Sequence, residues 1–317
     1  MACKRLCKGC LNYHKKPYLG VVYMGKELFD SGEFTIIRRL GTGARTVIYL
    51  ATDQNTGQPV ALKRAVHEKP EDSRIFEQMQ TEYKVARHID HPYIRKCHKL
   101  IKKRNVLRTR ELLLSMELFD GRPLEDSPSL SLVDVLLVFR MVASGLNAMH
   151  QKGYVHCDIK PNNILIGANG AIKIIDLGQS CKIGTIKPRI QGTPDYIAPE
   201  QVRRQRIDRR TDIFNLGATM YWAFTGRNVP TLIPKQTNRV AVVTAKDFQA
   251  PHEFHKRIPF GVSKLVTDCV KDKPAERPAN MSDVISRMDL LIHSIFGDKM
   301  QRKNGAKIST DIDEQLQ

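Results

Sequence analysis

The chain has 317 residues, 41% hydrophobic and 26% charged, an ordinary globular composition with enough apolar content for one large domain or two lobes. Lys and Arg number 51 against 33 Asp and Glu, a net charge of +18, which favours anionic partners: nucleotides, acidic or phosphorylated proteins, nucleic acid or membrane surface. Seven cysteines in a chain this long exclude a disulfide scaffold. No run matches the ~18–20 uninterrupted apolar residues of a spanning helix, since the most apolar stretch, 130–146, carries Asp134 and Arg140; a soluble, cytoplasmic protein is expected.

Residues 1–30 read as a basic, Cys-rich leader. Cys3, Cys7, Cys10 and His14 have a C-x3-C-x2-C-x3-H spacing that offers three thiolates and an imidazole to Zn²⁺. A reduced basic tail is the competing reading. From residue 33 the texture changes. Residues 34–43, 46–53 and 59–66 are β-branched and aliphatic runs separated by Gly, Asn and Pro, which predicts consecutive antiparallel strands with a turn at 55–57. Residues 71–90 have helical spacing and stop before His91-Pro92. Two further strands are expected over 93–106 and 109–118. Ser131 and Asp134 then match a helix-capping signature ahead of an apolar helix that ends near Gly153. Short strands are expected at 163–166 and 171–176, mostly helix over 208–296, and a polar, disordered tail over 300–317. Strands first and helices later predict an α+β protein, bilobal, with a small β-rich lobe and a larger helical one.

Several residues in this order carry chemistry. Leu40-Gly41-Thr42-Gly43 lies between two predicted strands, where a glycine hairpin can lay its backbone over a triphosphate. Alone that signal is weak. No helix follows it, as a dinucleotide fingerprint requires, and no Gly-Lys-Ser/Thr completes a Walker loop. Lys63 ends V-A-L-K; it either snorkels to solvent or is held toward phosphate by Glu77 or Glu82 on the next helix. The stretch YVHCDIKPNNIL, 154–165, places Asp158, Lys160 and Asn163 close together, with Asp176 thirteen residues beyond Asn163. Asp158 can orient a hydroxyl and accept its proton, Lys160 can neutralise a phosphoryl group, and Asn163 and Asp176 can hold Mg²⁺. Phosphoryl transfer needs positioning and charge stabilisation more than covalent help.

Taken together, these motifs resemble a eukaryotic-type (Hanks-type) protein serine/threonine kinase over residues 33–296, with an N-lobe at 33–118 and a C-lobe at 119–296. The A-P-E-Q sequence and the compact core resemble bacterial members. The resemblance implies ATP and Mg²⁺ as cosubstrate and cofactor, with Mn²⁺ as an alternative ion, and Ser or Thr hydroxyls of proteins as acceptors. It implies a nucleotide site of Leu40, Gly41, Gly43, Val47, Ala61, Lys63, Glu82, Met116, Glu117, Leu118 and Leu165. Glu82 fits the helix partner of Lys63 better than Glu77, on its spacing to His91-Pro92. Met116-Glu117-Leu118 resembles the gatekeeper and hinge, Asp176-Leu177-Gly178 the Mg²⁺ turn, and residues 192–200 the end of the activation segment. Residues 212–226 resemble the central helix, and Glu200 with Arg277 a buried ion pair.

The chain also departs from the family pattern. Thr46 replaces the third glycine, Leu177 replaces Phe, and Cys157 stands where many members carry the Arg that grips a phosphorylated activation loop. None of these removes a catalytic group, so an active enzyme is favoured over its alternative, a nucleotide-binding regulatory scaffold or pseudokinase. Activation is expected to proceed without an Arg–phosphate latch; Ser180, Thr185 and Thr193 are hydroxyls open to phosphorylation, with Thr193 expected rather to shape the substrate site. Cys157 and Cys181 are expected to be inert thiols, a redox pair requiring Cα atoms within about 7 Å. Basic residues concentrate in the leader, over 95–110 (Arg95 included), and at 203–210. Together they favour an acidic protein substrate or an anionic docking partner; no recognised nucleic-acid fold is present.

Overall fold

The computed structural model describes residues 32–43, 45–105, 108–127, 130–230 and 248–295. The leader with Cys3, Cys7, Cys10 and His14, and the tail at 300–317, lie outside the described residues.

The first lobe is a five-stranded antiparallel sheet. Strands β1 (Phe34–Thr42), β2 (Val47–Asp53), β3 (Pro59–Val66), β4 (Cys97–Asn105) and β5 (Arg108–Glu117) stand in the order β1-β2-β3-β5-β4. The β2–β3 turn uses Gly57 at φ 69°, a left-handed conformation that glycine adopts without steric cost. Alternation divides the sheet into two faces. Phe34, Tyr49, Leu62 and Leu113 pack on the outer one; Ala61, Ala65, Leu112, Leu114 and Met116 pack on the inner one, against Phe76 and Met79 of helix α1 (Ser73–Ala86). That helix is shorter than its spacing predicts. The chain leaves it after Ala86 so that Ile89 enters the core and Ile94 bridges Ile174 of the second lobe. For the same reason β4 starts at Cys97 and not at Tyr93.

The second lobe opens on α2 (Leu132–Gln151), capped as predicted. Ser131 Oγ accepts from the Asp134 N–H at 3.2 Å, and the Asp134 carboxylate accepts from the Ser131 N–H at 3.3 Å. By length and composition α2 is apolar enough to cross a membrane, which the sequence reading did not anticipate. Its apolar residues are spent inside the protein, where Leu136, Phe139, Val142, Leu146 and Met149 are fully buried. Short pieces follow: β6 (Arg122–Pro123) precedes α2, and β7 (Tyr154–Val155), β8 (Ile164–Ile166), β9 (Ile172–Ile174) and β10 (Cys181–Lys182) come after it. They form a three-stranded sheet β6-β8-β9 and a pair β10-β7. Helices α3 (Pro199–Val202), α4 (Arg209–Thr225), α5 (Pro251–Phe254), α6 (Phe260–Cys269) and a last helix over 281–295 complete the lobe.

Two buried charges organise it. Arg277, fully enclosed, donates to both Glu200 oxygens at 2.8 and 2.9 Å, and to the carbonyls of Arg210, Lys271 and Asp272. Asp212, in the first turn of α4, is also fully enclosed. Its carboxylate accepts from the backbone N–H groups of His156 and Cys157 at 2.9 and 2.8 Å and sits 2.8 Å from His150 Nε2. Burial works against ionisation of Asp212, yet the His150 contact and these donors outweigh it and hold the carboxyl below its ordinary range.

Removing one member of a buried pair strands the other. Arg277→Met is expected to cost roughly 3–5 kcal/mol of stability in urea unfolding. Asp212→Asn is expected to destabilise at neutral pH. A depressed carboxyl contributes its full stability above the ordinary Asp pKa of about 3.9 and loses it as the pH falls toward the folded value. The gap between wild type and Asp212→Asn, followed by urea midpoints from pH 7 to pH 3, should therefore narrow below about pH 4.

Candidate active site

The sequence-predicted groups converge at the junction of the two lobes. Lys63, on the inner face of β3, reaches Glu82 of α1 with Nζ–Oε2 at 2.8 Å and lies 3.8 Å from Asp176 Oδ1. Glu77, the other candidate, is exposed and lies 3.6 Å from Arg189. Burial opposes the charge on Lys63, but Glu82 and Asp176 outweigh it and raise the pKa of the amine, so it stays cationic. Asp176 follows β9 in a left-handed conformation at φ 62° that turns its carboxylate back toward the cleft. Lost hydration opposes its ionisation; Lys63, with His156, Lys160 and Arg95, reverses the balance and lowers its pKa. Leu177 is buried, filling the place expected of an apolar plug. Gly178 next to it has no room for more: a Cβ there would sit 3.0 Å from Gln78 Cβ of α1.

Asp158 lies at the centre of a polar chain. The Thr193 hydroxyl donates to Asp158 Oδ1 at 2.7 Å and accepts from Lys160 Nζ at 2.7 Å. Lys160 is also 3.2 Å from Asp158 Oδ2. Asn163 Nδ2 donates to the Asp158 carbonyl at 2.8 Å, so its amide oxygen is turned away from Asp158 and is available as a ligand. The loop is fixed from below by Asp212 and from the side by Gln201, whose Nε2 donates to the carbonyls of Cys157 at 2.8 Å and Gln191 at 3.0 Å. Under this clamp Cys157 takes φ 67°.

The nucleotide residues divide differently from their prediction. Ala61 and Met116 are cross-strand partners on the inner face, and Leu118 packs beside them. Gly41 and Gly43 lie at the β1–β2 hairpin, where the Gly43 N–H donates to the Thr46 carbonyl at 2.8 Å. A Cβ on Gly43 would meet Thr46 Oγ1 at 2.7 Å, so the extra bulk of Thr46 is accommodated by glycine opposite it. Leu40 is 39% exposed, and Leu165 is half-buried on β8. Glu117 is tied by Lys173 at 2.7 Å and by the Lys96 N–H at 3.2 Å. Val47 is the exception: it pairs with Arg64 and packs against the outer-face cluster. The inward residue is Ile48, the partner of Lys63, packed beside Ala61. Counting two-residue alternation back from Lys63 along the β2–β3 pair identifies it.

The sequence reading also missed Arg95. Expected as part of a basic surface, it is buried, with Nη2 3.5 Å from Glu82 Oε1 and no partner for Nε among the described residues. Its backbone N–H bonds the Ile174 carbonyl at 3.0 Å, which draws it inward. Much of the other predicted basic surface is neutralised locally, as in Lys99–Glu33, Arg203–Asp272 and Arg210–Asp208. Arg45 of the glycine loop pairs with Asp72, and with the Lys69 and Glu68 N–H groups it holds that carboxyl well below its ordinary range. Ser180, expected to be open to phosphorylation, is buried.

Residues 34–288 match the protein kinase domain. The serine/threonine-protein kinase PrkC of Bacillus subtilis is 26% identical over 301 residues, which cover 92% of this chain and 44% of PrkC. The serine/threonine-protein kinase PknA of Mycobacterium tuberculosis is 28% identical over 256 residues, 78% of this chain and 58% of PknA. The chain thus spans about half the length of these curated relatives. With the domain match covering most of its length and the bilobal architecture in place, this chain belongs to the protein kinase family.

Proposed function

We propose that the chain is a protein serine/threonine kinase that moves the γ-phosphoryl group of ATP to a protein hydroxyl. The observation that carries this reading is the Thr193 hydroxyl held between Asp158 and Lys160, both at 2.7 Å. An aliphatic alcohol is there bound with its proton directed at a carboxylate and its oxygen beside an ammonium, the arrangement an acceptor Ser or Thr needs. In the reaction Asp158 orients the acceptor and takes its proton. Lys160 balances charge on the transferring group. Lys63, kept cationic and aimed by Glu82, meets the α- and β-phosphates.

The donor set fits a hard divalent cation: the Asp176 carboxylate, 42% exposed, and the Asn163 amide oxygen that its Nδ2 contact leaves available. When bound, Mg²⁺ or Mn²⁺ supplies charge neutralisation on the phosphate oxygens. With ATP as substrate the site works in the cytoplasm. An acidic protein substrate suits the net charge of +18 and the exposed Arg204 and Arg206, the latter beside Gly184 of the activation segment. In the leader, Cys3, Cys7, Cys10 and His14 supply a zinc ligand set, which metal analysis of the purified chain tests directly.

Activation without an Arg–phosphate latch follows from Cys157, a thiol with no charge to offer a phosphate. The Ser180 burial and the Thr185 hydroxyl, which donates to the Lys182 carbonyl at 2.7 Å, are in keeping with this.

Labelled ATP with Mg²⁺ tests the activity. Asp158→Asn is expected to lower kcat by about 10²–10⁴-fold, and Lys63→Met to lower kcat/KM sharply; incorporation equal to wild type in Asp158→Asn would identify a nucleotide-binding scaffold instead. Ser180→Ala with Thr185→Ala is expected to keep most of the phosphotransfer rate, and a loss approaching that of Asp158→Asn would sink the latch-free reading.

A further inference from the structure

Cys157 and Cys181 face each other with Sγ–Sγ at 3.6 Å. They stand 24 residues apart, one in the catalytic loop and one in the activation segment. The antiparallel pair β10-β7 brings them together, with Cys181 opposite Val155. Nothing in the phosphoryl-transfer geometry uses either thiol. Cys157 is fully buried, whereas Cys181 is half-buried with one side open. Lys187, itself buried, donates to the Gln179 carbonyl at 2.5 Å and leaves a fixed positive charge close to the pair.

We infer that Cys157 and Cys181 form a hydroperoxide-responsive dithiol whose disulfide ties the catalytic loop to the activation segment. Cys181 is the attacking thiol. The hydrogen bond from Cys157 and the Lys187 charge both favour its thiolate, while burial pushes the Cys157 thiol well up. The chemistry balances in two steps. The Cys181 thiolate attacks the peroxide, the O–O bond breaks, and with one proton taken up the products are a sulfenic acid and water, or an alcohol from an alkyl hydroperoxide. The Cys157 sulfur then displaces the sulfenic oxygen, which leaves with the Cys157 proton as water, and an S–S bond forms. Two thiols are oxidised by two electrons and one peroxide is reduced.

Closing to a bond of about 2.05 Å requires roughly 1.5 Å of approach. Asp212 and Gln201 grip the Cys157 N–H and carbonyl, each at 2.8 Å, so the movement falls on β10 and not on Asp158. The link occupies the place of the missing Arg–phosphate contact and serves the same end covalently. Cys97 and Cys269, both pushed up to about 12 by burial, provide internal references that should not react.

The test is read by mass and does not involve phosphotransfer, so it stands apart from the kinase reading. The full chain, reduced and desalted, is treated with a small excess of hydrogen peroxide, alkylated, and digested without reductant. A Cys157–Cys181 peptide is expected as the main linked product. Oxidation at this pair should run about tenfold or more faster than at Cys97 or Cys269, and dithiothreitol should reverse it. Cys157→Ser should stop at a Cys181 sulfenic acid that dimedone traps; Cys181→Ser should leave Cys157 unmodified. Trypsin cleavage after Lys182 should slow in the oxidised chain. Formation of the link only after denaturation in urea, linkage to Cys3, Cys7 or Cys10 in equal yield, or dimedone trapping on Cys157 and not Cys181 would overturn the inference.

Discussion

The Asp212 carboxylate is the contact on which the geometry of the candidate site rests. A carboxylate with no solvent around it is tolerated only if both oxygens are hydrogen-bonded, and the partners here are two successive backbone N–H groups and a histidine. The left-handed turn at Cys157, φ 67°, follows directly on these two anchored N–H groups and precedes Asp158. The bend in turn delivers Asp158 into the cleft, where Thr193 and Lys160 meet it. The site is thus an outcome of satisfying one buried charge at the start of α4.

The upper half depends on a second shared anion. Glu82 receives Lys63 on one oxygen and faces Arg95 on the other. Lys63 belongs to the sheet, Glu82 to α1, and Arg95 to the segment that bonds β9 through Ile174. Three elements are therefore joined at one carboxylate. Loss of α1 from its position would take Glu82 from both Lys63 and the buried Arg95, which sets an electrostatic preference for the assembled form.

Most of the candidate site was legible because it is local. Lys63, Asp158, Asn163 and Asp176 sit in short motifs whose spacing holds wherever the chain goes, and the Ser131–Asp134 cap is complete within four residues. The failures have physical causes as well. Val47 was chosen in place of Ile48 because a strand exchanges faces at every residue, and an error of one places a side chain on the wrong side of the sheet. Arg95 lies in a run of cations and reads as surface; a long-range bond to Ile174 buries it. For Arg95 the deciding contact is nonlocal, and no periodicity records it.

Gly178 has a consequence for how the two lobes sense each other. Its bare Cα lets the backbone of the Asp176–Gly178 turn lie directly under Gln78, with no side chain as a cushion. A cushion would absorb small displacements; bare backbone transmits them. The turn and α1 are thus in direct contact, and a shift of either meets the other with no side chain of Gly178 between them.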